Sequence, residues 1–145
     1  MNKEIYESIA DRIGAEVSAL RWIDLDNGQF ESPDRPSVAF PACLIDMAYP
    51  LCEDAGETVQ QVTCQVTLRV AFLLTGPTSN ANTEVRSASL AIFQVIEDIH
   101  TALQNFYTDQ LGSFSRRSVV PERRNDGIKV YRMVYQSVFE EDTAQ

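Results

Sequence analysis

The sequence predicts an α+β fold in which two helices pack on one face of a largely antiparallel sheet, in the order α-β-β-α-β-β. Three observations carry that expectation. Val62, Cys64, Val66, Leu68, Val70, Phe72 and Leu74 share one parity while Thr63, Gln65, Thr67 and Arg69 fill the other, which marks a long strand with one buried and one wetter face. Two other segments space their apolar residues with helical period. Each of them precedes a pair of β-rich runs, and hairpins that each follow a helix favour helices gathered on one side of the sheet.

The first helix runs from Lys3 to about Leu20, with Ile5, Ile9, Ile13, Val17 and Leu20 in one stripe and Glu4, Glu7, Asp11, Arg12 and Glu16 on the remaining surface. Gly14 costs about 1 kcal/mol relative to alanine if it is interior to that helix. Between Arg21 and Pro36 turn formers dominate, Asp26-Asn27-Gly28 most clearly, with room for a short strand at Trp22 to Leu25. Val38 to Ile45 is apolar apart from Pro41, and because proline lacks a ladder donor this strand is expected at an edge or bulged at Pro41. The polar connection from Met47 to Val62 has Glu53, Asp54 and Glu57 near its tip and reads as the top of an extended hairpin.

Ala71 and Leu73 break the polar parity of the Val62–Leu74 strand, so its far end is apolar on both faces and requires a partner there. A loop follows from Thr75 to Thr83. Thr83 is placed to cap a second helix, with Glu84 in its first turn where the helix dipole favours a carboxylate. Val85, Ser89, Ile92, Ile96, Ile99, Leu103 and Phe106 form one face of that helix and Leu90, Phe93 and Val95 widen it, so it is the central core helix. Two strands close the chain, about Phe114 to Glu122 and Ile128 to Glu140, joined through Asp126-Gly127. The last is apolar on both parities and is expected to be covered on both sides, or covered on assembly.

A chain of 145 residues is expected to form a single domain, since cores divide only well beyond about 200 residues. Residues 140–145 read as a flexible acidic tail. The composition, 44% hydrophobic and 23% charged, supplies a core. No apolar run approaches the roughly 18 residues of a membrane helix, and Met1 to Glu4 lead into an amphipathic segment rather than a signal peptide. Twenty-one acidic against twelve basic residues give a formal charge of -9, which argues against a protein that coats nucleic acid.

The residues that bear chemistry do not assemble into a reaction. Cys43, Cys52 and Cys64 are an odd set without CxxC spacing and read as free thiols, Cys43 and Cys64 as core residues. The sole histidine, His100, has no nucleophile motif to serve, and Glu97-Asp98 and Glu140-Glu141-Asp142 read as solvated charge. No phosphate-binding glycine loop or calcium loop occurs, so neither a cofactor nor a metal is expected, and no catalytic role. The one basic cluster is Arg116, Arg117, Arg123 and Arg124. Three readings stay open for it: a solvated hairpin paired with Glu53, Asp54 and Glu57 of the same molecule, a contact with those residues on a neighbouring subunit, or a surface for DNA phosphates.

The layout resembles the tail terminator proteins of long-tailed bacteriophages and the related minor tail, or tail-completion, proteins of prophages. The matching parts are the N-terminal helix, the strand at Pro41 to Ile45, the long connection, VTCQVTLRVAFLL, SLAIFQVIEDIHTALQNF and IKVYRMVYQSVFEED. The resemblance implies a ring of copies, usually six, that caps the tail tube in the virion and joins it to head-completion proteins. DNA passes through as cargo, assembly takes place in the host cytoplasm, and no membrane is involved. The candidate interface or channel residues are Glu53, Asp54, Glu57, Thr63, Gln65, Thr67, Arg69, Arg116, Arg117, Arg123 and Arg124. The competing reading is a stand-alone ligand-binding or regulatory domain without catalytic activity. On either reading Val66, Leu68 and Val70 are expected under the second helix, with Thr63, Gln65, Thr67 and Arg69 on an accessible or intersubunit face.

Overall fold

The computed structural model describes residues 3–31, 37–73 and 90–144. Its elements in chain order are helix α1 (Lys3–Glu16), β1 (Trp22–Leu25), a 3-10 turn (Gln29–Glu31), β2 (Ala42–Asp54), β3 (Val59–Leu73), helix α2 (Ile92–Leu103), β4 (Ser115–Pro121) and β5 (Ile128–Asp142). The strands form one sheet in the order β1-β2-β3-β5-β4. Every pairing is antiparallel except β1 with β2, so the α+β class and the two successive hairpins are present with one parallel edge strand added. Leu74, the Thr75 to Thr83 loop, the expected cap at Thr83, and Glu84, Val85 and Ser89 lie outside the described residues.

The alternation in β3 sorts the whole molecule. Val62, Cys64, Val66, Leu68, Val70 and Phe72 are buried in one cluster with Ile5, Ile9, Ile13 and Val17 from α1 and Val95, Ile96, Ile99, Ala102 and Leu103 from α2. Met133, Tyr135 and Phe139 of β5 extend that core across the sheet. Both helices therefore lie on one face. The stripe of α1 buries as its spacing requires, although the helix ends at Glu16 and Val17 packs just beyond it. Helix α2 ends with Asn105 in the left-handed conformation (φ 64°), and Phe106 then stacks on Phe114 with ring centroids 6.3 Å apart.

Among the described residues the opposite face is covered only at one end. Phe30, Ala42, Leu44, Ala71, Ile128 and Val130 form a second buried cluster, with Val38, Phe40 and Leu73 packed against it. The doubly apolar end of β3 thus finds its partner within the same chain, in the segment that carries the 3-10 turn. This arrangement also accounts for the parity break at Ala71 and Leu73, and for Ile128 and Val130 on β5, which pair with those residues.

Three details differ from the sequence expectations. Strand β2 is not an edge along Ala42 to Ile45, because β1 pairs with it there in parallel, and Pro41 precedes the strand with a cis bond after Phe40. The irregularity in β2 falls instead between Ala48 and Leu51, around Pro50, past the end of β1, where no outer strand needs a proline donor. Residues 140–142, read from sequence as tail, are the end of β5. They pair with Val59, Gln60 and Gln61, and the Thr58 hydroxyl donates to Asp142 Oδ1 at 2.8 Å.

Gly112 is required by close approach. Its amide donates to the Val138 carbonyl at 3.0 Å, a Cβ would stand 3.0 Å from that same oxygen, and the Ser137 hydroxyl donates to the Gly112 carbonyl. Gly14 is different: a Cβ there would meet only Ile23 Cδ1 at 3.6 Å, an ordinary contact. Gly14→Ala is therefore expected to stabilise the fold by about 0.5–1 kcal/mol through helix propensity, read as a higher urea midpoint with unchanged slope.

Candidate assembly surface

The sequence-selected residues fall into four places on the sheet. Arg69 and Arg124 enter a buried ion cluster beside the second apolar cluster. Thr63, Gln65 and Thr67 lie on the uncovered middle of the face away from the helices. Glu53, Asp54 and Glu57 stand at the projecting end of the β2-β3 hairpin, while Arg116, Arg117 and Arg123 belong to β4 and the turn that follows it.

Arg69 sits on the expected face but is only 7% exposed. Its Nε and Nη2 each donate to a Glu122 carboxylate oxygen at 2.8 Å, a bidentate pair that fixes both partners in plane. Nη1 pairs with Glu31 and lies 3.5 Å from Asp26 Oδ2, and the guanidinium stands 5.4 Å from the Phe30 ring centroid. Arg124 closes the same cluster. Its Nη1 is 3.3 Å from Glu122, its Nη2 is 2.6 Å from Asp126, and Nη2 also donates to the Phe30 carbonyl. The expectation of an accessible guanidinium at Arg69 is thus corrected: carboxylates of its own chain enclose it, and Arg124 likewise binds within the molecule.

Sequence reasoning missed Glu122, Asp26 and Glu31 as partners. Glu122 was legible in part, because continuing the β4–β5 register past Pro121 and Tyr131 brings it beside Val130, on the face of Arg69. The Arg69 hydrogen bonds hold the Glu122 carboxyl below its ordinary range, against the opposing effect of burial. Asp126 is lowered by its bond from Arg124.

Beyond that cluster the face carries no further layer among the described residues. Thr63, Gln65 and Thr67 pair across β5 with Val138, Gln136 and Val134, all half-buried except the exposed Val138, and Gln136 reaches the Gln65 side chain at 3.5 Å. Further along, β2, β3 and the end of β5 continue as a three-stranded tongue. Leu51, Thr63 and Val138 form one cross-strand row, and Glu53, Gln61 and Glu140 form the next row outward on the same face. Leu51 and Val138 are exposed. Among the described residues Glu53, Glu57, Glu140 and Glu141 enter no ion pair, while Asp54 accepts from Gln60 at 3.1 Å.

On the other flank, β4 has no outer strand among the described residues and is bulged between Arg116 and Ser118. Arg117 and Arg123 are exposed and likewise enter no ion pair among the described residues. Arg116 reaches the helix side, where its charge lies near Tyr135 and His100. Val120 is exposed beside Arg132 on the bare face.

The groups that most resemble catalytic machinery have structural surroundings. His100 Nδ1 lies 3.0 Å from the Tyr135 hydroxyl, and burial, helped by Arg116, lowers its pKa. Burial pushes Tyr135 and Cys43 up to about 12 and Cys64 to about 11, so these thiols stay protonated. Among the described residues no group of His, Cys, Asp and Glu is arranged to hold a metal ion, and no helix is long and apolar enough to cross a membrane.

No family model matches the chain, and no curated protein is similar to it. Among solved structures, a chain described as "Virion of native gene transfer agent (GTA) particle" is similar over 92% of this chain and 84% of that one, with 12% identity and a TM-score of 0.45. A likeness of that size carries no argument about function.

Two outcomes follow from the ion cluster. Arg69→Met is expected to cost about 2–3 kcal/mol, because it removes the buried cation that the half-buried Glu122 and Asp26 face, whereas Arg69→Met with Glu122→Met should recover much of the loss; equal losses in chemical denaturation would contradict the pairing. Glu122 has a folded pKa below its unfolded value, so its contribution is full above the ordinary glutamate range near about 4.3 and is lost as pH falls through the folded value. Urea midpoints should therefore fall in acid, and Glu122→Gln should be weaker at neutral pH with a shallower acid slope.

Proposed function

We propose that this chain is a structural subunit of a phage or prophage particle, acting in the tail as a terminator that assembles in copies on the end of the tail tube. The observation that carries the reading is the division of the sheet. One face lies under both helices, while the other, among the described residues, is uncovered through the half-buried Thr63, Gln65, Thr67, Val134 and Gln136 and runs out into the exposed tongue. A bare antiparallel face alone is compatible with water. Here it is joined to an exposed apolar row, Leu51 and Val138, and to unpaired charge of opposite sign at separate places, features a subunit would offer to neighbours.

The order of elements supports the same reading, since the helix, hairpin, helix, hairpin layout is the one on which the resemblance to tail terminators rests. On this reading the partners are other copies of the chain, tail-tube protein and head-completion protein, with DNA passing as cargo. Assembly would take place in the host cytoplasm and the product would reside in the virion tail. No catalytic step and no cofactor is called for.

The test is reconstitution with a tail-tube protein from the same genome. Added to polymerising tube protein, the chain should bind tube ends and yield shorter tubes of narrower length distribution in electron micrographs, with a ring of density at one end. Tubes of unchanged length without end density would overturn the proposal.

A further inference from the structure

Resting on the reading that copies of this chain assemble, we propose that the acidic tongue of one copy docks on the arginine-bearing flank of β4 in the next. The two surfaces match in chemistry. The tongue presents exposed Leu51 and Val138 in one row, with Glu53 and Glu140 immediately outside them. The flank presents exposed Val120, with Arg117 and Arg123 on either side of it in sequence. The tongue is a small apolar row with an acidic rim, and the flank sets an exposed valine between two exposed arginines along its outermost strand and the turn after it, so the two carry charge of opposite sign.

The charges are available for such a contact. The carboxylates and guanidiniums around Arg69 neutralise one another within the molecule, whereas Glu53, Glu140, Arg117 and Arg123 enter no ion pair among the described residues. The tongue and the flank lie at different places on the sheet, so the contact is heterologous, the kind that propagates head to tail and closes into a ring when the rotation allows. The mode is side-chain docking rather than strand addition. The bulge between Arg116 and Ser118 and the proline at 121 blunt the outer edge of β4 against backbone pairing.

Charge-swapped variants of the whole chain test this directly. Arg117→Glu with Arg123→Glu forms one variant and Glu53→Lys with Glu140→Lys the other; neither pair touches the buried cluster through an ion pair, and circular dichroism with thermal melts verifies folding. Sedimentation velocity at low ionic strength is expected to show wild-type self-association, weakened at least about tenfold in each variant alone. An equimolar mixture should regain it, because each tongue then faces a flank of opposite sign. Wild-type assembly that both variants retain would overturn this contact and leave assembly standing. A wild-type chain that associates neither alone nor on tube ends would overturn the contact and the assembly reading together.

Discussion

The Arg69 guanidinium stands within the sheet on the face away from the helices, and carboxylates from two separate segments close around it. Asp26 and Glu31 come from the stretch before β2, and Glu122 from the turn between β4 and β5. Arg124 from that same turn binds Glu122, Asp126 and the Phe30 carbonyl. One buried network therefore ties the 3-10 turn to the central strand and to the far hairpin. Without it Phe30 would have no fixed seat over Ala42, Leu44, Ala71, Ile128 and Val130, and the second apolar cluster would lose its cover.

The net stability of such a network is small beside its role in placement. Desolvating several charges offsets most of their mutual attraction, and well-packed apolar side chains often do as well. A leucine in place of Arg69 would leave an apolar face continuous with Leu44 and Ala71, along which the covering segment could settle in more than one register. The bidentate bond to Glu122 admits one geometry. Arg69 also marks a frontier on β3: the apolar residues Ala71 and Leu73 lie on one side of it, and Thr67, Gln65 and Thr63 lie uncovered on the other.

What was legible in the sequence follows the range of the interactions. Periodicity is local, so the stripe of α1, the buried parity of β3, the short β1 and the turn at Asp126-Gly127 could all be read. The parallel pairing of β1 with β2 depends on contacts between distant segments, and no turn motif signals it. Pro41 drew attention that belonged to Pro50, because a proline is restrictive only relative to which strand lies beside it. The end of β5 is hidden for a similar reason: Glu140, Glu141 and Asp142 look like a solvated tail until Val59, Gln60 and Gln61 are set opposite them. Residue type alone groups Arg124 with Arg116, Arg117 and Arg123, and strand parity alone groups Arg69 with Thr63, Gln65 and Thr67, although burial sets Arg69 and Arg124 apart from both groups.

That division changes what the formal charge of -9 means. A net charge describes the far field, in which this chain repels nucleic acid and its own copies alike. At contact range, within a Debye length of about 10 Å at 0.1 M salt, the arrangement counts instead. The acidic residues near Arg69 are answered by cations of their own chain, whereas those of the tongue accumulate on adjacent strand ends without an ion pair among the described residues. Repulsion between two tongues is then strongest in a tip-to-tip approach and weakest where a tongue meets Arg117 and Arg123. On the proposed contact, the same distribution that keeps free copies apart would favour the approach in which a tongue meets that flank.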